Sequence, residues 1–186
     1  MTVLIRRTVI QMLCVMALGL PGAPGLGQLP TPLAGPAAKS DSPSPLEPIA
    51  WMAGSWAAEA KQPGVAKSSK ILTKFTPQLD GRLMMMETSF DGQSVYQGVF
   101  GYDPAQKAIA FWYVTPNGES IRGTVAPKGS DSLYDFHMTL INGIDLHFQT
   151  NVHRVDSDRY TWSLFTTINK GSTWEKLFEV EYRRVP

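Results

Sequence analysis

The folded part of this sequence predicts an all-β fold: an antiparallel up-and-down barrel of about ten strands, with one short helical element in front of it. Three observations lead there. First, turn signals recur along the chain: Asp80-Gly81, Asp91-Gly92, Asp103-Pro104, Asn117-Gly118, Lys128-Gly129, Asn142-Gly143, and the clusters at 156–158 and 169–171. Asx-Gly pairs supply the positive φ angles that tight hairpins require. Second, the intervening segments are β-rich, as in AIAFWYV at 108–114, LYDFHMTLI at 133–141 and YTWSLFTTI at 160–168. Third, the connections are short, so sequence neighbours pair antiparallel, and no helical period appears after residue 53. An open meander of this size would leave two unpaired edges, which closure into a barrel removes.

The elements can be justified in chain order. Residues 1–27 have the three-part plan of a cleavable signal peptide. Arg6 and Arg7 form the positive region, and TVIQMLCVMALGL at 8–20 forms an apolar run too short to span a bilayer as a helix. Small residues follow, with cleavage expected near Gly27, so the protein is expected to be secreted or periplasmic. Cys14 follows Leu13 where a lipoprotein acceptor needs a small residue, so lipidation is not expected. Residues 28–45, rich in Pro, Ala and Ser, bury too little apolar surface to offset their ordering entropy and read as a disordered tether. The barrel domain is then 46–186, long enough to fold around its own core.

Within that domain, residues 46–53 are expected to form the short helical element, with Trp51 and Met52 capping a barrel end. In the last strand Trp174, Phe178, Val180 and Tyr182 fall on one face and Glu175, Glu179 and Glu181 on the other. Charges on what would be the lipid face argue against an outer-membrane barrel, so no stable membrane insertion is expected.

Composition narrows the function. Charged residues are 18% of the 186 and the formal net charge is +1. Without the first 27 residues, 15 basic side chains face 16 acidic ones. No basic field is available for a phosphate backbone, so nucleic acid is not an expected partner. Cys14 is the only cysteine, so the chain beyond the signal has no disulfide, thiolate metal site or cysteine nucleophile.

PLEPIAWMAGSWAAEAKQPG at 45–64 resembles the opening of lipocalin-like (calycin) barrels. It is most similar to the L-x-P-L-A-W-L-x-G-x-W start of nitrobindin-type haem-binding barrels. LDGRLMMMETSFDGQ, GVFGYDPAQKAIAFWYV and the C-terminal EVEYRR resemble an uncharacterised group of bacterial lipocalin-like proteins. The resemblance implies the barrel fold. It also implies that Trp56, of Gly54-x-Trp56, plugs one barrel end beneath an arginine of the final strand. Arg184 shares the parity of Tyr182 and Phe178 and is placed to cover Trp56 as a cation–π pair. A nitrobindin-like barrel would hold haem through a histidine late in the chain. No histidine lies between 154 and 186, so no haem and no other cofactor is expected.

No phosphate loop, nucleophile elbow or paired metal-ligand motif is present, and no catalytic or metal residue is assigned. His147 and His153 share a face with Asp145, Gln149 and Asn151, and His137 shares one with Asp135 and Thr139. Each set reads either as a solvated outer face or as a polar stripe inside the barrel. The apolar side is better supplied. Met84, Met86, Tyr96, Trp112 and Trp162 are candidate cavity-lining residues, with Glu87 or Arg122 as candidate anchors for a polar head group. A ten-stranded barrel is wider than side chains alone fill, so a cavity is expected.

Three functions follow from different classes. The first is a secreted or periplasmic binding protein for a small, largely apolar molecule held in the barrel. The second is an enzyme using the cavity with Glu87, His137 or His147 as general base. The third is a non-enzymatic envelope scaffold that docks a partner through its outer face or tether.

Overall fold

Ten antiparallel strands close on themselves in the computed structural model, which describes residues 43–61 and 68–186. The expected export signal and all but the last three residues of the expected tether lie outside the described residues. A 3-10 helix, Glu47–Met52, comes first. The strands are β1 (Gly54–Lys61), β2 (Ser68–Gln78), β3 (Leu83–Phe90), β4 (Gln93–Asp103), β5 (Ala108–Val114), β6 (Ser120–Lys128), β7 (Asp131–Thr139), β8 (Asp145–Arg154), β9 (Arg159–Thr166) and β10 (Glu175–Val185). Each pairs with its neighbours in sequence, and β1 pairs with β10 to close the barrel.

Turn chemistry sets the connections. Gly92, Gly118, Gly129, Gly143 and Gly171 all have positive φ, and Asp91 joins Gly92 in the left-handed region. The turns after β3, β5, β7 and β9 lie at one end with the end of β1, called here the mouth. The other turns lie at the opposite end with the 3-10 helix, which closes the floor. There Ser44 donates to the Gly81 carbonyl at 2.6 Å, tying the segment before the helix to the β2–β3 turn.

Alternation then decides which side chains enter the barrel. Ile71, Thr73 and Phe75 point in from β2, while Leu72 and Lys74 face solvent. Met84 and Met86 point in from β3 and Met85 faces out. On β10 the alternation is broken. The register with β9 shifts between Lys176 and Phe178, leaving Leu177 as an additional residue. This bulge overturns the single-face reading of the last strand. Phe178, Val180 and Tyr182 share the inward face, but Trp174 lies before the strand and packs edge-on against His147, on the outside of the barrel. Glu175 is opposite Thr166 and so takes the inward parity at the mouth, not the face of Glu179 and Glu181.

Two inward glycines let aromatic rings cross the interior. A Cβ on Gly98 would lie 2.2 Å from both the Trp112 carbonyl oxygen and the Tyr113 ring. One on Gly123 would lie 2.2 Å from the Asp135 carbonyl oxygen and 2.4 Å from the Phe136 Cβ. Because one of these neighbours is backbone, the strain cannot be relieved by a rotamer change. Gly123→Ala is expected to destabilise the barrel by about 2–3 kcal/mol, as other overpacked cores do, measured as a lower urea midpoint at unchanged m-value.

Candidate functional site

The floor of the barrel is built around Trp56, which is fully buried. Its indole N–H donates to the Met52 carbonyl at 2.7 Å, and its ring meets Trp51 and Tyr160 edge-on at 6.0 and 4.9 Å. The Arg184 guanidinium carbon lies 4.2 Å from the centre of that ring. Arg184 also donates to the carbonyls of Ala53 at 2.7 Å and Trp51 at 3.1 Å, fixing the end of the 3-10 helix to the last strand. Gly54 has no Cβ for a physical reason: one would sit 2.5 Å from the Arg184 guanidinium. Arg154 covers the neighbouring ring, 5.3 Å from the centre of Trp51.

Above this floor is a cavity of about 170 Å³. Met52, Phe75 and Val152 line its lower part, and Phe90, Tyr96 and Met138 its upper part. Most of its partly exposed lining residues, among them Phe90, Tyr96, Tyr113, Met138 and Leu146, lie toward the mouth. The described lining contains aromatic, aliphatic, methionine and threonine side chains, and no charged residue or histidine.

Polar groups in the wall are few and mostly satisfied. Thr73 and Thr88 share a hydrogen bond of 3.0 Å, and the Tyr182 hydroxyl is bonded to Thr73. The Tyr134 hydroxyl meets the Met52 sulfur at 3.2 Å. Burial pushes the Tyr182 phenol up to about 12, with Thr73 acting in the opposite direction, and pushes Tyr113, Tyr134 and Tyr160 well above the ordinary phenol range. These phenols stay protonated at neutral pH. Thr150 is different: it is 1% exposed, lines the cavity, and its hydroxyl has no hydrogen-bond partner.

The candidate lining residues divide. Met86, Tyr96 and Trp162 are on the cavity wall. Met84 is buried in the core near the floor but is not part of the lining. Glu87, Trp112 and Arg122 are corrected: all three point outward, Trp112 being 51% exposed. Each lies one residue from an inward side chain, Met86, Phe111 or Ile121, and a period of two puts it on the other face. Neither proposed head-group anchor reaches the cavity.

The histidines also lie outside. Trp112, Arg122, His137 and His147 are aligned across β5–β8 by the strand register. The His137 and His147 rings stack at 4.4 Å. His137 meets Asp145 at 2.5 Å, His147 meets Asp135 at 2.8 Å and His153 meets Asp131 at 2.6 Å. Glu87, His137 and His147 therefore cannot act as general bases inside the barrel. The fit to haem fails for a related reason. No histidine faces the cavity, and a porphyrin is far larger than the space present. Among the described residues no group of three or more His, Cys, Asp or Glu is arranged to hold a metal ion.

One residue the sequence reading missed is Glu119, in the β5–β6 turn. It is 2% exposed, has the inward parity of Ile121, and accepts from the Thr115 hydroxyl at 3.2 Å. Its position two residues before Ile121 was the available signal.

The comparisons with known proteins agree on architecture. A crystal structure of Rv2717c from M. tuberculosis matches with a TM-score of 0.53 and 15% identity, covering 78% of this chain and 100% of that one. They share a fold. No family model matches the chain, and no curated protein is detectably similar in sequence.

Two predictions follow from this geometry. Thr150→Val removes a buried hydroxyl that has no partner, so it is expected to stabilise the unliganded barrel by about 1 kcal/mol, read as a higher thermal midpoint. On the outer face, burial alone would raise the Asp135 carboxyl. Hydrogen bonds from Gln149 and His147, with the nearby His147 and His137, outweigh this and hold it below 3.8. A carboxyl lowered on folding stabilises the protein above its unfolded value, and that stability is lost as pH falls through the folded value. Asp135→Asn is therefore expected to flatten the loss of stability below pH 3.8, measured by urea titration across that range.

Proposed function

We propose that this protein is an exported binding protein, a lipocalin-like (calycin) relative, whose barrel holds a small, largely apolar molecule. The observation that carries the reading is the cavity itself, hollow above a cross-braced floor and walled by aromatic, aliphatic and methionine side chains. A structure evolved only for packing would gain stability by filling that space, since each buried methylene contributes about 0.8 kcal/mol. Rings and thioethers suit an irregular apolar guest, because they give large contact area and adapt in shape. The volume is close to that of a roughly 150 Å³ protein cavity that accepts benzene, so the guest is a compact molecule or one part of a longer one. Export through the signal at 1–27 would place the barrel outside the cytoplasm, where it would pick up or carry such compounds.

Extraction of the protein purified from its host, followed by mass spectrometry, is expected to release one apolar compound in near-stoichiometric amount. A barrel that emerges empty and binds no apolar probe would overturn the reading. Leu146→Trp, which adds bulk to the cavity wall near the mouth, is expected to weaken binding at least about tenfold while the thermal midpoint stays within a few degrees.

A second reading, the outer-face scaffold, has one observation in its favour. Met85, Val99 and Trp112 form an apolar row across β3–β5, with Met85 and Trp112 exposed. Trp112→Ser would weaken partner capture under that reading and leave apolar-probe binding unchanged.

A further inference from the structure

The ligand class can be narrowed by asking where the charges are. Charge matters to a guest only where the barrel is the binding protein proposed above. Along the described strands, alternation sends Lys70, Lys74, Lys128 and the three histidines outward. The two arginines with inward parity, Arg154 and Arg184, lie under the floor against Trp51 and Trp56. They are already engaged. Arg184 bonds the Ala53 and Trp51 carbonyls, and Arg154 donates to the Asp156 carbonyl. Among the described residues near the mouth, two acids have the inward parity: Glu119, buried, and Glu175, opposite Thr166. Among the described residues, an anionic head group would therefore meet no cation along the chamber wall.

A carboxylate moved from water into such a chamber loses its hydration and finds no replacement. A neutral guest carries no such cost. The polar wall groups then become informative. Thr73, Thr88 and Tyr182 satisfy one another on one side of the barrel, whereas the Thr150 hydroxyl is a donor without an acceptor. Native structures rarely leave a buried hydroxyl in that state, and a bound oxygen would complete it.

We propose that the cavity selects an uncharged, compact apolar molecule bearing one hydrogen-bond acceptor directed at Thr150, and that it rejects organic anions of the same size and shape.

Three probes of one skeleton test this with the purified, delipidated protein: toluene, p-cresol and 4-methylbenzoate, each titrated by calorimetry. At pH 7, p-cresol is expected to bind more tightly than toluene, and 4-methylbenzoate at least about 100-fold more weakly than p-cresol. The acid form of the third probe is neutral, with a pKa of about 4, so its apparent affinity is expected to rise about tenfold per unit between pH 7 and pH 5. That of p-cresol should stay flat and so control for any change in the protein. Thr150→Val should erase the preference for p-cresol over toluene. Binding of 4-methylbenzoate within about threefold of p-cresol at pH 7 would overturn the rejection of anions while leaving the binding reading intact. An undiminished p-cresol preference in Thr150→Val would overturn the assigned contact. Failure of all three probes to bind would remove the binding reading and this inference together.

Discussion

The Arg184–Trp56 contact sits where the barrel has least other support. Closure between β1 and β10 is made by three residue pairs, against eight between β1 and β2, and Trp56↔Arg184 is the middle one. The same arginine reaches the carbonyls of Trp51 and Ala53, so one side chain joins the first strand, the last strand and the helix that forms the floor. A cation over an indole contributes about 0.5–2 kcal/mol, and hydrogen bonds from a charged donor add comparable amounts. These sums are small beside the whole core. Their importance lies in location: without a closed seam, β1 and β10 become free edges and the chamber has no fixed width.

Much of this architecture was legible because turns and alternation are local properties. Asx-Gly pairs fixed where the chain reverses, and the short spacing between them left only neighbour pairing. Alternation was equally available for the site, and the misplaced residues show what happens when residue type is weighed above it. Met86 and Glu87 cannot both face inward on one regular strand, nor can Tyr113 and Trp112. A period of two therefore excludes Glu87, Trp112 and Arg122 from the cavity, whatever their chemistry. Trp174 is a different kind of error. The extra residue at Leu177 leaves no mark in the sequence, because a bulge is a property of the pair of strands rather than of one.

Neither Gly98 nor Gly123 carried any signal of its role. Both lie inside strands, where glycine ordinarily weakens pairing. Here their lack of a Cβ lets the Tyr113 and Phe136 side chains lie across the neighbouring strand. A barrel of ten strands is wide, and rings laid over glycines are one way of partly filling it. The interior is consequently a lined chamber of modest volume, neither solid core nor open channel.

The distribution of charge completes the picture. The outer face of β7 and β8 pairs each histidine with an aspartate, a pattern that water tolerates and that contributes little to stability when exposed. Inside, the same strands present Phe136, Met138, Leu146 and Phe148. Because polar anchors are almost absent, affinity for any guest must come mainly from apolar area, at about 25 cal/mol per Å². Discrimination among apolar guests of similar size is then weak, since a methylene changes binding only modestly. Discrimination against charge is strong, since desolvating an unpaired ion costs far more than a methylene returns. Under the proposed binding function, a chamber built this way would sort molecules first by charge, then by size, and only through isolated hydroxyls such as Thr150 by the placement of a single oxygen.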